Sequence, residues 1–145
     1  MSGTSFDGVD AALIKTNGRS FIELIDTSYV EYSTLEKSLY SNSIIKNYNK
    51  ITDIINNKHI LAIKKLLTNN SNEVDVIGLH GQTFFHRPKK NWTWQYINAE
   101  LIAKYFKVKV ISDFRLKDVN AGGEGAPLVP IFHKKLILNS KLELP

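Results

Sequence analysis

Residues Met1 to Asp10 read MSGTSFDGVD, and how this segment is understood governs the rest of the chain. It holds the glycines Gly3 and Gly8, the hydroxyls of Ser2, Thr4 and Ser5, and the carboxylates of Asp7 and Asp10. Gly3 and Gly8 allow a backbone to approach a polyanion closely, and the hydroxyls add donors to those of the backbone N–H groups. A carboxylate beside phosphates is repelled unless a cation lies between them, so Asp7 points to Mg²⁺, held directly or through its waters. The same residue types also build ordinary surface turns, so by itself the segment is either a phosphate loop or a turn.

Working outward, Val9, Ala11 and Leu13 form a short apolar run suited to a buried strand. Asn17-Gly18 favours a tight turn with positive φ, and Phe21, Glu23 and Ile25 alternate beyond it as a second, antiparallel strand. Ser28 to Tyr32 supplies a candidate third strand, which would complete a meander in need of a helical layer. Ser33 with Glu36 predicts a capping box, followed by a first helix whose apolar stripe is Leu35, Leu39, Ile44 and Tyr48. A second helix is expected from about Asp53, carrying Ile51, Ile54, Ile55, Leu61, Ala62, Leu66 and Leu67 at helical spacing and ending in Asn69 to Asn72.

Val74, Val76, Ile77 and Leu79 read as a central strand covered on both faces. His80-Gly81-Gln82-Thr83 then falls at that strand's carboxyl end, the edge at which open α/β sheets bind ligands. Read locally it is either a site or a turn with a hydrogen-bonded histidine. Trp92, Trp94 and Tyr96 alternate with Thr93 and Gln95, so a strand with one aromatic face is expected there in preference to a base-stacking platform. Asn98 is suited to cap a helix carrying Leu101, Ile102, Tyr105 and Phe106, and Val108, Val110 and Ile111 follow as a further buried strand. That strand leads into Ser112-Asp113-Phe114-Arg115, and Ala121 to Pro127 forms a second glycine-rich loop ahead of the apolar stretch Leu128 to Leu138.

Composition narrows the alternatives. The chain has 145 residues, 43% hydrophobic and 23% charged, which is enough for one ordinary core and outside the disordered range. There are no cysteines, which removes disulfides and thiolate metal sites and fits a reducing compartment, with the cytoplasm as the expected location. No apolar run approaches the roughly 20 residues of a membrane span, so no membrane partner is expected. The net charge of +5 and pI near 9.3 raise nucleic acid as a partner. The lysines are diffuse, however, and the arginines are only Arg19, Arg87 and Arg115, so the expectation is a solvated lysine face and no nucleic-acid partner.

Three motifs, MSGTSFDGVD, GLHGQTFFHRP at Gly78 to Pro88 and SDFRLKDVNAGGEGAPLVPIFH at Ser112 to His133, occur in the order found in bacterial anhydro-N-acetylmuramic acid kinases. Over nearly its whole length the chain resembles the N-terminal part of these enzymes. The resemblance implies an α/β fold: an incomplete ribonuclease H-like first lobe of the actin, hexokinase and Hsp70 type, a mixed sheet with flanking helices. It implies ATP and Mg²⁺ as cofactors and anhydro-N-acetylmuramic acid as substrate, whose 1,6-anhydro ring is opened and whose O6 is phosphorylated during peptidoglycan recycling.

Carried over by position, Gly3, Thr4, Ser5, Phe6, Asp7, Gly8, Val9 and Asp10 would hold the nucleotide, with Asp7 linked to the metal. His80, Gly81, Gln82 and Thr83, with Asp113, Arg115 and Asp118, would face the sugar. Phosphoryl transfer is chiefly positioning and charge neutralisation, which suits Arg115 and backbone donors. Three departures are visible. The family places a strand ahead of SGTS, and without it the loop is expected to lose an anchor. Its DFRRRD segment reads DFRLKD here, where Leu116 and Lys117 lack the bidentate fork of arginine. Its catalytic aspartate lies beyond Pro145, so the expectation is a single truncated N-terminal kinase lobe over 1–145, without the catalytic second lobe and inactive alone. A separately encoded C-terminal half would be its partner; the alternative is a non-catalytic remnant that binds a sugar or a partner protein.

Overall fold

The computed structural model describes residues 1–42, 45–70, 73–127 and 130–139. The expected positions Ile44, Ser71, Asn72, Leu128 and Val129 lie outside these residues. The chain is mixed α/β, as expected, and opens with strands β1 (Gly8–Thr16) and β2 (Ile22–Glu31) in an antiparallel hairpin. The expected third strand is absent as a separate element: Ser28 to Glu31 continues β2, so two long strands replace the meander. The connection is a five-residue loop, Asn17 to Phe21, and not a two-residue turn. Asn17 Oδ1 accepts the N–H groups of Arg19, Ser20 and Phe21 at 2.9–3.0 Å, while Gly18 takes the positive φ.

Helix α1 (Thr34–Asn42) begins at the expected capping box, since Ser33 N–H donates to Glu36 Oε2 at 2.6 Å and Glu36 N–H donates to Ser33 Oγ at 3.3 Å. Its stripe is narrower than the spacing suggested. Leu39 packs on the core, Leu35 is 70% exposed, and Tyr48 belongs to the next helix. Helix α2 (Tyr48–Asn69) therefore starts five residues before Asp53. It lies along the hairpin and presents Ile51, Ile55 and Ala62 to a core shared with Phe6, Val9, Val30, Tyr32 and Phe84.

Beyond it come β3 (Val76–Gly78), β4 (Gln82–Arg87), a 3₁₀ turn at Pro88–Lys90, β5 (Trp92–Tyr96), α3 (Ala99–Phe106), β6 (Lys109–Ile111), α4 (Phe114–Asn120) and α5 (Pro130–Asn139). Asn98 caps α3 as expected, its Oδ1 accepting Leu101 N–H at 2.9 Å. The aromatic strand also forms: β5 pairs antiparallel with β4, and Trp94 meets Phe84 edge-on with centroids 4.9 Å apart.

The described strands form three separate two-stranded sheets, β1-β2, β3-β6 and β4-β5, where one continuous mixed sheet was expected. Nor is β3 a central strand covered on both faces. Among the described residues it pairs only with the parallel β6, and although Ile77 and Leu79 are buried, Val76 is 47% exposed. The physical reason is a groove along the other edge of β3, which separates it from β1. The core divides along the same line: Ile77, Leu79 and Ile102 form a second cluster, backed by Ile60 and Ile63 of α2. No helix among the described residues is long and apolar enough to cross a membrane.

Candidate functional site

The first segment and the histidine segment, some eighty positions apart, are joined directly. Ser2 N–H donates to the Gly81 carbonyl at 3.2 Å, Thr83 N–H donates to the Ser2 carbonyl at 3.3 Å, and Ser2 pairs with Gln82 as an isolated parallel bridge. Gln82 is fully buried, and its Nε2 donates to the Gly3 carbonyl at 2.7 Å. On the other side, Ser2 Oγ donates to the Gly8 carbonyl at 2.8 Å. The loop from Gly3 to Asp7 is thus held at both ends, despite the expected loss of an anchor.

Phe6 fixes its middle. With φ 54° it turns its ring inward, stacked between Tyr32 at 3.9 Å and Tyr40 at 4.2 Å. A non-glycine residue holds this conformation only where packing compensates the strain, and here two aromatic faces do so. The consequence is a loop with two kinds of side chain. Phe6 and Val9 point into the core, so only their backbones can meet a nucleotide. Thr4, Ser5, Asp7 and Asp10 are exposed.

The glycines also divide. A Cβ on Gly3 would meet only Ser5 Oγ at 4.0 Å, so the space over Gly3 is open to a ligand. Gly8 is buried, and a Cβ there would lie 2.4 Å from the Tyr29 ring, so its small size serves packing against β2. Gly81 is required on both counts, with φ 75° and a Cβ that would approach the Tyr96 carbonyl oxygen to 2.6 Å.

Next to this junction, His80 Nδ1–H donates to the Gly81 carbonyl at 3.0 Å, which leaves Nε2 a buried acceptor with no partner among the described residues. Burial lowers the His80 pKa, the bond to the Gly81 carbonyl opposes it, and the positive charge of Arg115 adds to the lowering, which favours the uncharged ring. Arg115 projects from α4, half-buried, and has no ion-pair partner among the described residues. Asp113 is exposed in a left-handed conformation at the start of α4, and its carboxylate accepts from Ser112 Oγ at 3.0 Å.

Asp118 is turned away to a structural task. Its Oδ2 accepts Gly125 N–H at 2.7 Å and its carbonyl accepts Gly123 N–H at 2.9 Å, clamping the second glycine loop onto α4. A Cβ on Gly123 would sit 2.3 Å from that carboxylate, and one on Gly125 would strike Val119 at 2.8 Å and approach His86 to 3.3 Å. Close packing therefore accounts for Gly123 and Gly125, whereas Gly122 stands in open space with a φ of 89°. The loop brings in His86, which motif reading left unassigned; its Nδ1 lies 3.0 Å from Thr93 Oγ1.

No group of three or more His, Asp or Glu side chains placed to hold a metal occurs among the described residues. An ion here would rest on one carboxylate, with phosphate oxygens and water completing its shell, which is how Mg²⁺ is commonly held. Asp7 fits that role, being exposed and unengaged by side-chain hydrogen bonds among those described.

Comparison with known proteins identifies the family. The family profile described as anhydro-N-acetylmuramic acid kinase matches residues 1–143. The chain is 39% identical to an anhydro-N-acetylmuramic acid kinase of Zymomonas mobilis, over 92% of this chain and 41% of that protein. It is 37% identical to one of Pelagibacter ubique, over 100% of this chain and 42% of the other, and 39% identical to one of Rhodopseudomonas palustris, over 94% and 41%. The chain thus spans about two fifths of the length of these relatives. With the profile covering residues 1–143, the chain belongs to the anhydro-N-acetylmuramic acid kinase family.

Proposed function

We propose that this chain supplies the phosphate loop and part of the sugar-binding wall of an ATP-dependent kinase acting on anhydro-N-acetylmuramic acid. The observation that carries this reading is the hydrogen-bonded junction of Ser2 and Gly3 with Gly81, Gln82 and Thr83. It sets a loop with open backbone and exposed hydroxyls next to His80, whose Nε2 has no partner among the described residues and whose ring also meets Arg115 electrostatically. Thr4, Ser5 and the backbone around Gly3 would bind phosphate oxygens, and Asp7 would hold Mg²⁺, which neutralises phosphate charge when bound. His80 Nε2 would accept a sugar hydroxyl, and Arg115 would compensate negative charge near the transferred group. Asp118 acts here as a positioning residue, since its carboxylate is committed to Gly125. The fold reading is a first lobe of the ribonuclease H-like type, with the catalytic base and adenosine site contributed from outside these residues.

Magnesium ATP titrated into the whole chain tests this by amide exchange. Saturable protection of Gly3 to Gly8, weakened about tenfold or more in Asp7→Asn, supports the reading, given that a lost charge-assisted contact is worth about 1.5–3 kcal/mol. Protection elsewhere, or none at millimolar nucleotide, refutes it. Phosphoryl transfer by the chain alone would refute the assignment to one lobe, and saturable binding of the anhydro sugar without nucleotide would favour a non-catalytic binding role.

A further inference from the structure

His86 is half-buried on β4, directly across from Thr93 of β5, and its Nδ1 lies 3.0 Å from the Oγ1 of that buried threonine. Gln95 Nε2 donates to the same oxygen at 2.9 Å. A threonine hydroxyl has one proton to give and lone pairs with which to accept. If His86 Nδ1 were the donor, that proton would be left to the Phe85 carbonyl at 3.4 Å or to Gln95 Oε1 at 3.2 Å, both longer contacts. The short contacts therefore run in one direction, from Gln95 to Thr93 to His86 Nδ1. In its uncharged form the His86 ring then carries its proton on Nε2, the reverse of His59 and His80, whose Nδ1–H groups donate to carbonyls.

The His86 Nε2–H has no acceptor among the described residues. Its ring neighbour Cε1 lies against the second glycine loop, where a Cβ on Gly125 would come within 3.3 Å of Cε1 and within 3.2 Å of the Arg115 carbonyl oxygen. One bare backbone position thus separates His86 from the turn of α4 that carries Arg115. The Arg115 side chain is half-buried and has no ion-pair partner among the described residues. His86 and Arg115 both act electrostatically on His80, so the three side chains lie within reach of one another's charge.

A fixed N–H donor near an uncompensated guanidinium suits an anionic oxygen, and a carboxylate best, because its two oxygens accept from two directions at once. A phosphoryl group in transfer shares its charge with a metal ion, whereas a carboxylate brings no cation and takes its donors from the protein. Muramic acids carry one such group, the lactyl carboxylate on O3, which the corresponding glucosamine lacks.

We propose that His86 is a specificity-determining residue whose Nε2–H, oriented by Gln95 and Thr93, donates to the carboxylate of the sugar while Arg115 balances its charge. This rests on the reading of the chain as part of the sugar-binding wall of the kinase. Thr93 is then a positioning residue, since its hydroxyl sets the His86 tautomer. Gly125 stays bare for the same reason, because a Cβ there would press on the ring.

Two measurements on the whole chain test this. The first is NMR of the ring nitrogens in neutral to mildly alkaline solution, without ligand. The expected result is a proton on Nε2 of His86 and on Nδ1 of His59 and His80, with the His86 preference lost in Thr93→Val. A proton on His86 Nδ1 overturns the inference alone and leaves the sugar-binding reading standing. The second titrates anhydro-N-acetylmuramic acid and anhydro-N-acetylglucosamine, with magnesium and a non-hydrolysable ATP analogue present. His86→Phe should weaken the muramic sugar about tenfold or more, toward its glucosamine counterpart, whose own affinity stays within about twofold. His86→Gln, which keeps an N–H near the same place, should recover most of that loss. Equal weakening of both sugars or no recovery in His86→Gln overturns the inference, as does a His86 ring signal that answers to inorganic phosphate but to neither sugar. Amide shifts at Gly81 to Thr83 with none at His86 also overturn it. No response to either sugar overturns the sugar-binding reading itself, and the inference with it.

Discussion

Acidifying the protein from about pH 7.5 to about pH 5 should destabilise it through His59. The ring is buried between α2 and the groove, and burial brings its pKa from 6.5 down to about 4, the Ile55 carbonyl opposing only in part. In the unfolded chain the same imidazole protonates near its ordinary value, so between these two pH values the unfolded state binds more protons and stability rises with pH. The contribution is complete above about pH 6.5 and is lost as pH falls toward about 4. With those values, about 2 kcal/mol should disappear by pH 5, where each pKa unit is worth about 1.4 kcal/mol. Urea unfolding across this range, for the wild type and His59→Gln, isolates the effect, because other histidines cancel in the difference. Glu36 does not interfere. Although burial opposes ionisation there, bonds from Ser33 and Lys58 lower its pKa, so its stabilisation is lost only below the normal carboxylate range. Parallel pH profiles for the two proteins would refute the assignment of a buried, neutral His59.

Ser33→Ala should cost about 1 kcal/mol in urea unfolding through loss of the α1 cap, with little change in amide exchange at the Gly3 to Asp7 loop. Gly81→Ala meets both a positive φ and the Tyr96 carbonyl, so a loss of about 2 kcal/mol or more is expected, with faster amide exchange in Gly3 to Gly8. Asp118→Ala leaves Gly125 N–H without its acceptor, and about 1–2 kcal/mol of lost stability should accompany faster proteolysis between Ala121 and Pro127.

Local signals in the chain were legible because their partners lie three or four residues apart. The Ser33–Glu36 box and the Asn98 cap needed no tertiary knowledge, and alternation from Val9 to Leu13 located β1. The extent of β2 was hidden, because Asp26 and Thr27 resemble a break until their pairing with Leu13 and Ala12 is seen. Site membership was harder still. Gly8 and Gly3 look alike in sequence, and only Tyr29 above Gly8 separates a packing glycine from an open one. Asp118 has the chemistry of a ligand, and only its bond to Gly125 shows that the fold has claimed it. His59 lay in no motif, and His86 lay in one without being given a role; the surroundings of both come in part from segments distant in sequence.

These distinctions bear on how the loop proposed to hold phosphate could be both shaped and available. A loop held only by its own turn bonds would have to order itself on binding, at about 1–2 kcal/mol per residue fixed. Here Ser2, Phe6 and Gly8 are committed inward, to Gly81 and Thr83, to two tyrosine rings, and to Tyr29, while Thr4, Ser5 and Asp7 remain outward and exposed. The inward residues set the backbone before a ligand arrives, and the outward ones keep their donors and charge for it. Gln82 is the hinge of the arrangement, since one buried amide ties the Gly3 carbonyl to the strand that carries Thr83. Replacing it with leucine would keep the volume and remove the tie, so amide exchange at Thr4 to Phe6 should rise while the Ser33 cap, on another part of the chain, stays as protected as before. Uniform loosening of both would show that Gln82 supports the core at large and not the loop.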